Sequence, residues 1–266
     1  MDLPLPAERH RRIQEFLQEH RAARVSTLAD VLGVSEVTIR RDFEELERRG
    51  LLERTHGGAI VAQRMAREPL YVEAASHHPV EKQRIGAAAA RLATEGETVF
   101  LNGGTTTLEV VRHLGPHVRV VTNHVGAAME LGDRDIELIL VGGEYRFASN
   151  SCVGDLATRT LRGIFATRSF IGVEGLSLRS GLTTPALAEA ELARVMIEQT
   201  HGQVVVVADS SKVGTVADFS IAPIEAVTIL VTDPGLDDEF RKALTGLGVR
   251  VVVADDVIVL PTSTPV

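Results

Sequence analysis

Apolar residues recur at helical spacing from the start of the chain. Over 8–20, Ile13, Phe16 and Leu17 fall on one face of a helix whose other positions are mostly charged or polar. A second short helix is predicted from Ser26, a capping residue, with Leu28, Ala29 and Leu32 turned inward. Gly33 breaks it and permits a sharp turn. Ser35 can cap a third helix, in which Ile39, Phe43 and Leu46 repeat at the same spacing. Gly50 stops that helix. Two apolar runs follow, Leu51-Leu52 and Ala59-Ile60-Val61, on either side of Arg54-Thr55-His56-Gly57-Gly58, which reads as a small hairpin. Three helices closed by such a wing make the winged helix-turn-helix plan.

The segment 64–79 is polar, punctuated by Pro69, His77, His78 and Pro79, and lacks a clear period. It reads as a linker with one extended piece at Leu70-Tyr71-Val72. Beyond it, buried-strand runs alternate with helical stretches. Strands are predicted at 98–101, 119–122, 136–141, 168–173, 203–208, 227–232 and 249–254, and helices at 81–94, 106–114, 125–131, 155–164, 186–200 and 237–247. Near-continuous Val/Ile/Leu strands separated by helices argue for an α/β domain with a mostly parallel sheet covered on both faces. The expected organisation is a DNA-binding head at 1–63, a linker at 64–79, an α/β domain at 80–257 and a loose tail at 258–266. A chain of 266 residues can bury a core in each domain.

Composition sharpens this picture in three places. The net charge of −8 looks wrong for a DNA binder, but residues 1–67 hold twelve Arg against eleven Asp or Glu, so the acidic excess lies downstream. DNA affinity must then come from Arg placed on one surface. No run of about eighteen apolar residues occurs and the N-terminus lacks a signal-peptide core, so a cytoplasmic protein is expected. The single Cys152 excludes an internal disulfide and reads as a small buried residue, and no Cys/His spacing points to zinc, so no metal is expected. The 28 basic residues include only three lysines, Lys82, Lys212 and Lys242, which are either positions where a compact ammonium has its own use or residual chance in an Arg-rich chain.

The third helix carries Thr38, Arg40 and Arg41 near its start, on the face away from Ile39, where a recognition helix enters the major groove. Ser35 sits at its tip, and Arg54, His56 and Gly57 lie on the wing, within reach of a DNA backbone. In the second domain, polar loops collect where strands end, the usual ligand side of an open α/β sheet. Asn102-Gly103-Gly104-Thr105-Thr106-Thr107 follows one strand and opens a helix. Glycines there let the backbone approach an anion, and the helix start offers unpaired N–H groups with threonine hydroxyls beside them. Glu174 and Asp209-Ser210-Ser211-Lys212 end two further strands, and Lys82 opens the domain's first helix. Asn102, Gly104, Thr105, Thr106, Thr107, Glu174, Asp209, Lys82 and Lys212 are therefore the candidate effector-binding residues, with phosphate as the group they suit.

These motifs resemble the DeoR family of bacterial transcriptional regulators over nearly the whole chain, about 8–256. The head matches at Ser35-Glu36-Val37-Thr38-Ile39-Arg40-Arg41-Asp42, Leu46, Gly50-Leu51-Leu52 and His56-Gly57-Gly58-Ala59. The second domain matches at Glu81-Lys82, Gly104-Thr105-Thr106-Thr107, Val121-Thr122-Asn123, Val141-Gly142-Gly143, Gly181-Leu182-Thr183-Thr184-Pro185 and Asp209-Ser210-Ser211-Lys212. The resemblance implies a sensor domain folded like ribose-5-phosphate isomerase and coenzyme A transferases. It also implies a homo-oligomeric repressor of a sugar or nucleoside catabolic operon, which leaves its double-stranded operator when a phosphorylated sugar binds. Asn102 and Glu174 stand where the family often has Asp. The rival readings are a sugar-phosphate isomerase carrying a DNA-binding head, which lacks a compelling acid–base pair among these residues, and an activator built from the same parts.

Overall fold

The computed structural model describes residues 5–65, 67–132 and 134–254; the expected tail at 258–266 lies outside them. The head runs α1 (Pro6–His20), β1 (Ala22–Arg24), α2 (Val25–Leu32), α3 (Glu36–Arg48), β2 (Leu52–Arg54) and β3 (Gly58–Val61). Ile13, Leu17, Leu28, Ile39, Phe43, Leu46 and Leu52 form its core, and all are almost fully buried. Gly33 ends α2 in the left-handed conformation with φ 65°, as the turn requires. Ser35 caps α3 by accepting a hydrogen bond from the Thr38 N–H at 3.2 Å. Ser26 does not cap α2. That helix starts two residues earlier than a Ser26 cap implies, with Arg24 in the cap position and no side-chain cap bond, because the preceding chain is already fixed as strand β1. This strand was not foreseen; it pairs antiparallel with β3 and makes the wing three-stranded, in the order β1-β3-β2.

The wing has two faces, as alternation along a strand dictates. Leu52, Ala59 and Val61 belong to the head's own core. Ala22 and Ile60 belong instead to a core of the second domain. Glu53, opposite Ile60, is buried there too: its carboxylate accepts from the Ser177 hydroxyl and from the Leu178 N–H at 2.9 Å. Burial pushes the Glu53 pKa up, with the two donors pulling it back. Arg24 adds an ion pair to Glu239 at 3.0 Å.

The linker is more ordered than its composition implies. It holds β4 (Gln63–Arg64) and α4 (Tyr71–Ser76), so the piece expected to be extended at Leu70-Tyr71-Val72 turns into a helix at Tyr71. Glu73 fixes that start, because its carboxylate accepts from the Leu70 N–H at 2.9 Å.

The second domain follows as α5 (Pro79–Ala90), β5 (Thr98–Leu101), α6 (Thr105–His113), β6 (Arg119–Thr122), α7 (Ala127–Leu131), β7 (Glu137–Leu140), β8 (Glu144–Arg146), β9 (Ser151–Val153), α8 (Asp155–Leu161) and β10 (Ala166–Gly172). It continues through β11 (Gly175–Ser177), β12 (Gly181–Thr184), α9 (Leu187–Glu198), β13 (Thr200–Val207), β14 (Thr215–Val216), β15 (Phe219–Ala222), β16 (Ile229–Thr232), α10 (Asp238–Gly246) and β17 (Arg250–Val253). Among the described residues, a seven-stranded sheet runs β17-β16-β13-β10-β5-β6-β7, and each of its pairings is parallel. Val99, Leu101, Val205 and Val207 face one core, which Ile85 of α5 and Val110 of α6 close. Phe100, Ile171, Val206 and Leu230 face the other, closed by Leu161 of α8, Met196 of α9 and Phe240 of α10. Both faces are covered, as the unbroken apolar strands predict. No helix among the described residues is long and apolar enough to cross a membrane.

Strand order reverses between β5 and β10. The chain leaves β5 toward β6 and β7 on one side, then returns to β10 on the other. At such a switch point the loops after the two strands diverge to opposite faces and leave a crevice between them.

Candidate functional site

Asn102 stands at the switch point and ties its two strands together. Its Nδ2 donates to the Gly172 carbonyl at 2.9 Å, and its Oδ1 accepts from the Gly172 N–H at 2.8 Å. An amide can do both; a carboxylate in its ionised form could only accept. The next residue, Gly103, donates its N–H to Asn123 Oδ1 at 2.8 Å, while Asn123 is held by the Cys152 carbonyl. A Cβ on Gly103 would lie 2.6 Å from Ser151 Cβ, so only glycine lets the loop pass. Cys152 itself is half-buried rather than buried.

This loop opens α6 and forms one wall of a cleft. Asn102, Gly104, Thr105 and Thr106 line it together with Lys82, Glu174 and Lys212. Two expected members stand behind the wall. Thr107 is almost fully buried and its hydroxyl turns back to the Asn102 and Gly104 carbonyls, at 2.8 and 3.0 Å, bracing the loop. Asp209 caps the turn that carries Lys212 by accepting from the Ser211 N–H at 3.1 Å. Its other oxygen is buried without a hydrogen bond among the described residues, and its charge acts on Lys82.

The two lysines are held differently. Lys212 pairs with Glu174 at 2.5 Å. Lys82 is only 4% exposed, and its ammonium donates to the Ala74 carbonyl of the linker helix at 2.5 Å. Burial lowers its pKa, and Asp209 opposes that. The third lysine, Lys242, is on the surface of α10 beside Glu239 at 3.2 Å.

Several cleft residues were not foreseen. Glu68, Pro69, Tyr71 and Ala74 come from the linker, which lies across the cleft as a strap. Tyr71 Oη is 3.1 Å from His124 Nε2, and burial drives the His124 pKa down to about 4, so the imidazole is neutral at pH 7. Arg146 bonds Glu68 through both terminal nitrogens, at 2.6 and 2.5 Å, and Glu189 at 3.0 Å. Glu189, at the start of α9, also accepts from the Thr184 hydroxyl at 3.1 Å, and burial raises its pKa.

In the head, Arg9 and His10 of α1 bind the buried Asp42 of α3, through Arg9 Nη2 and His10 Nε2, each at 2.9 Å. This pairing fixes how α3 presents its outer face. Arg40 and Arg41 are exposed on that face. Arg40 is paired with Glu36 at 2.7 Å, whereas Arg41 forms no ion pair among the described residues. Thr38 is half-buried, with its hydroxyl 2.9 Å from Ser35 Oγ. His56 is exposed on the wing loop. Arg54 is bound by Glu44 at 3.0 Å and Glu47 at 2.9 Å of α3. Gly57 faces Glu239, which a Cβ there would approach to 3.2 Å. The wing thus offers less free positive charge than its sequence implies.

Comparison with known proteins agrees with both halves. A family profile described as a DeoR-like helix-turn-helix domain matches residues 9–65, and one described as the DeoR C terminal sensor domain matches residues 77–234. The HTH-type transcriptional regulator GlpR of Haloferax volcanii is 38% identical over 93% of this chain and 98% of that protein. A putative aga operon transcriptional repressor of Escherichia coli O157:H7 is 31% identical over 94% of each chain. Among solved structures, ribose 5-phosphate isomerase A from Methanocaldococcus jannaschii aligns at TM-score 0.37 and 17% identity over 50% of this chain and 53% of that chain.

Proposed function

The chain belongs to the DeoR family of transcriptional regulators, and from that premise we propose that it represses a sugar or nucleoside catabolic operon and releases its operator when a phosphorylated sugar binds. It works in the cytoplasm as a homo-oligomer whose paired heads read two half-sites of double-stranded DNA. Thr38, Arg40 and Arg41 meet the DNA, with Ser35 at the helix tip and His56 on the wing.

One observation carries the effector half of this reading. The glycine-threonine loop at the start of α6 and the ammoniums of Lys82 and Lys212 share a single cleft at the sheet's switch point. Backbone N–H groups at a helix start, hydroxyls and two compact cations are what a phosphate requires. A linker that crosses the same cleft supplies the coupling. A phosphate that takes the Lys82 ammonium competes with the Ala74 carbonyl for it, so occupancy acts directly on the segment that leads to the wing. Such a ligand releases DNA only if it binds the released arrangement better than the bound one.

The test is calorimetric titration with a panel of pentose and hexose phosphates, their unphosphorylated parents and inorganic phosphate. Operator release is followed in parallel by fluorescence anisotropy. The reading requires a phosphorylated sugar that binds and releases DNA while its parent sugar does neither. If none binds, the sensor reading fails; if the bound one is converted to product at a useful rate, the isomerase reading replaces it.

A further inference from the structure

The cleft is electrically polarised. Lys212 pairs with Glu174, and Lys82 donates to the Ala74 carbonyl. Glu68 and Glu189 instead share Arg146, so the lysines and the Glu68–Arg146–Glu189 cluster are two separately bonded groups on the lining of one cleft. Between them runs a line of hydroxyls. Ser151 packs against Gly103 of the phosphate loop, and its Oγ is 2.9 Å from that of Ser149, which neighbours Glu189.

The far cluster carries two carboxylates and one guanidinium, a net negative charge. A phosphate is repelled from that end and drawn to the lysines. Hydroxyl groups behave oppositely, because they donate to carboxylates and accept from guanidinium N–H groups. The cluster retains capacity for them. Arg146 has five N–H donors, and its bonds to Glu68 and Glu189 engage only the two terminal nitrogens. Each Glu68 oxygen takes one bond from Arg146 and keeps a second lone pair. Arg146 also holds both carboxylates in place, so little ordering remains to be done on binding.

We propose that Glu189, Glu68 and Arg146 form the specificity wall of the cleft, reading the hydroxyls of a ligand whose phosphate is held at the lysine end. This deepens the sensor reading and rests on it. The ligand class is then a polyhydroxylated monophosphate, with its hydroxyls well removed from the phosphate, and neither a simple phosphate monoester nor a diphosphate. Since Glu68 belongs to the linker, the group that selects the sugar is also one that holds the strap.

The experiment compares inorganic phosphate, glycerol phosphate and a panel of pentose and hexose monophosphates on wild type, Glu189→Gln and Glu68→Gln, by calorimetry. The readout is the ratio of sugar-phosphate to inorganic-phosphate affinity. The wall predicts a preference for the best sugar phosphate in wild type that falls at least tenfold in Glu189→Gln and in the same direction in Glu68→Gln. The Glu68 and Glu189 side chains are 25% and 19% exposed, and glutamine keeps the shape of each, so a thermal melt shows that each variant is folded before its ratio is read. A ratio unchanged in both variants overturns the wall while leaving the phosphate site intact. A wild type that binds inorganic phosphate as tightly as every sugar phosphate does the same. A wild type that binds no phosphorylated compound overturns the wall together with the sensor reading beneath it.

Discussion

Replacing Lys82 by methionine separates a ligand's partner from a structural tether. Methionine keeps most of the apolar stem and removes the charge. Lys82 is 4% exposed, and its ammonium holds one backbone carbonyl, that of Ala74. Its lowered pKa, caused first by burial, means that the charge costs stability where it stands. Lys82→Met therefore loses one charged hydrogen bond but also removes a desolvated cation, and the two changes oppose each other. We expect a net effect of about 1 kcal/mol or less, which is a melting shift within roughly 4 °C for a chain of this size.

Ligand binding should respond very differently. A phosphate would gain from Lys82 a charge-assisted hydrogen bond worth about 1.5–3 kcal/mol. Its loss weakens binding roughly 10- to 150-fold, at about 1.4 kcal/mol per decade. Lys212→Met should lose more, because it also leaves the Glu174 carboxylate, now 2.5 Å from the Lys212 ammonium, unpaired at the cleft. The assay is calorimetry with inorganic phosphate and the preferred sugar phosphate, with a thermal melt of each variant. Wild-type affinity in Lys82→Met refutes the assignment of its ammonium to the anion. A melting point more than about 10 °C lower refutes the balance of terms and makes Lys82 a tether, on the same scale of degrees per kcal/mol.

Three other outcomes follow from the geometry. Arg41→Ala should weaken operator binding more than Arg40→Ala, because Glu36 already occupies Arg40 at 2.7 Å; a guanine contact would cost about 1–3 kcal/mol and be confined to particular bases, and equal effects of the two variants in anisotropy titrations would count against it. Asn102→Ala removes both bonds to Gly172, at 2.9 and 2.8 Å, and should cost about 2 kcal/mol in urea unfolding; a loss under about 0.5 kcal/mol would mean that the switch point holds without that bridge. Because burial lowers the His124 pKa from 6.5 to about 4, the unfolded chain binds this proton first as pH falls. Its contribution is intact above pH 6.5 and is lost progressively down to about pH 4, by up to about 3 kcal/mol. His124→Gln should flatten unfolding free energy against pH over that window, and a slope identical to wild type would refute the cause.

Much of the fold was legible because its signals are local. Ile39, Phe43 and Leu46 repeat at helical spacing, Ser35 caps where a capping residue stands, and Val204 to Val207 form an apolar run that only a doubly covered strand can bury. Strands β1, β4 and β14 were not legible, since two or three residues carry no period and their partners lie far along the chain. Helix α4 was missed for a related reason: none of its residues is buried, so it shows no apolar stripe. Of the three rare lysines, Lys82 and Lys212 line the cleft, whereas Lys242 lies on the surface of α10. Glu189 left only a faint trace, a carboxylate on a helix that otherwise buries Ala190, Leu192, Ala193, Val195 and Met196.

The unforeseen parts are also those that join the domains. Strand β14 begins three residues after Lys212 and pairs with β4 of the linker, where the Gln63 N–H donates to the Gly214 carbonyl at 2.8 Å. β4 in turn follows the wing strand β3, whose Ile60 is packed in the core of the second domain. The lysine that faces the cleft and the hairpin beside the recognition helix are therefore separated by one short parallel pairing, and the strap over the cleft continues from its other end. A ligand that shifts either Lys212 or the strap loads that pairing from one side. On the proposed reading the linker itself is the coupling element, and no long-range pathway through the sheet is needed.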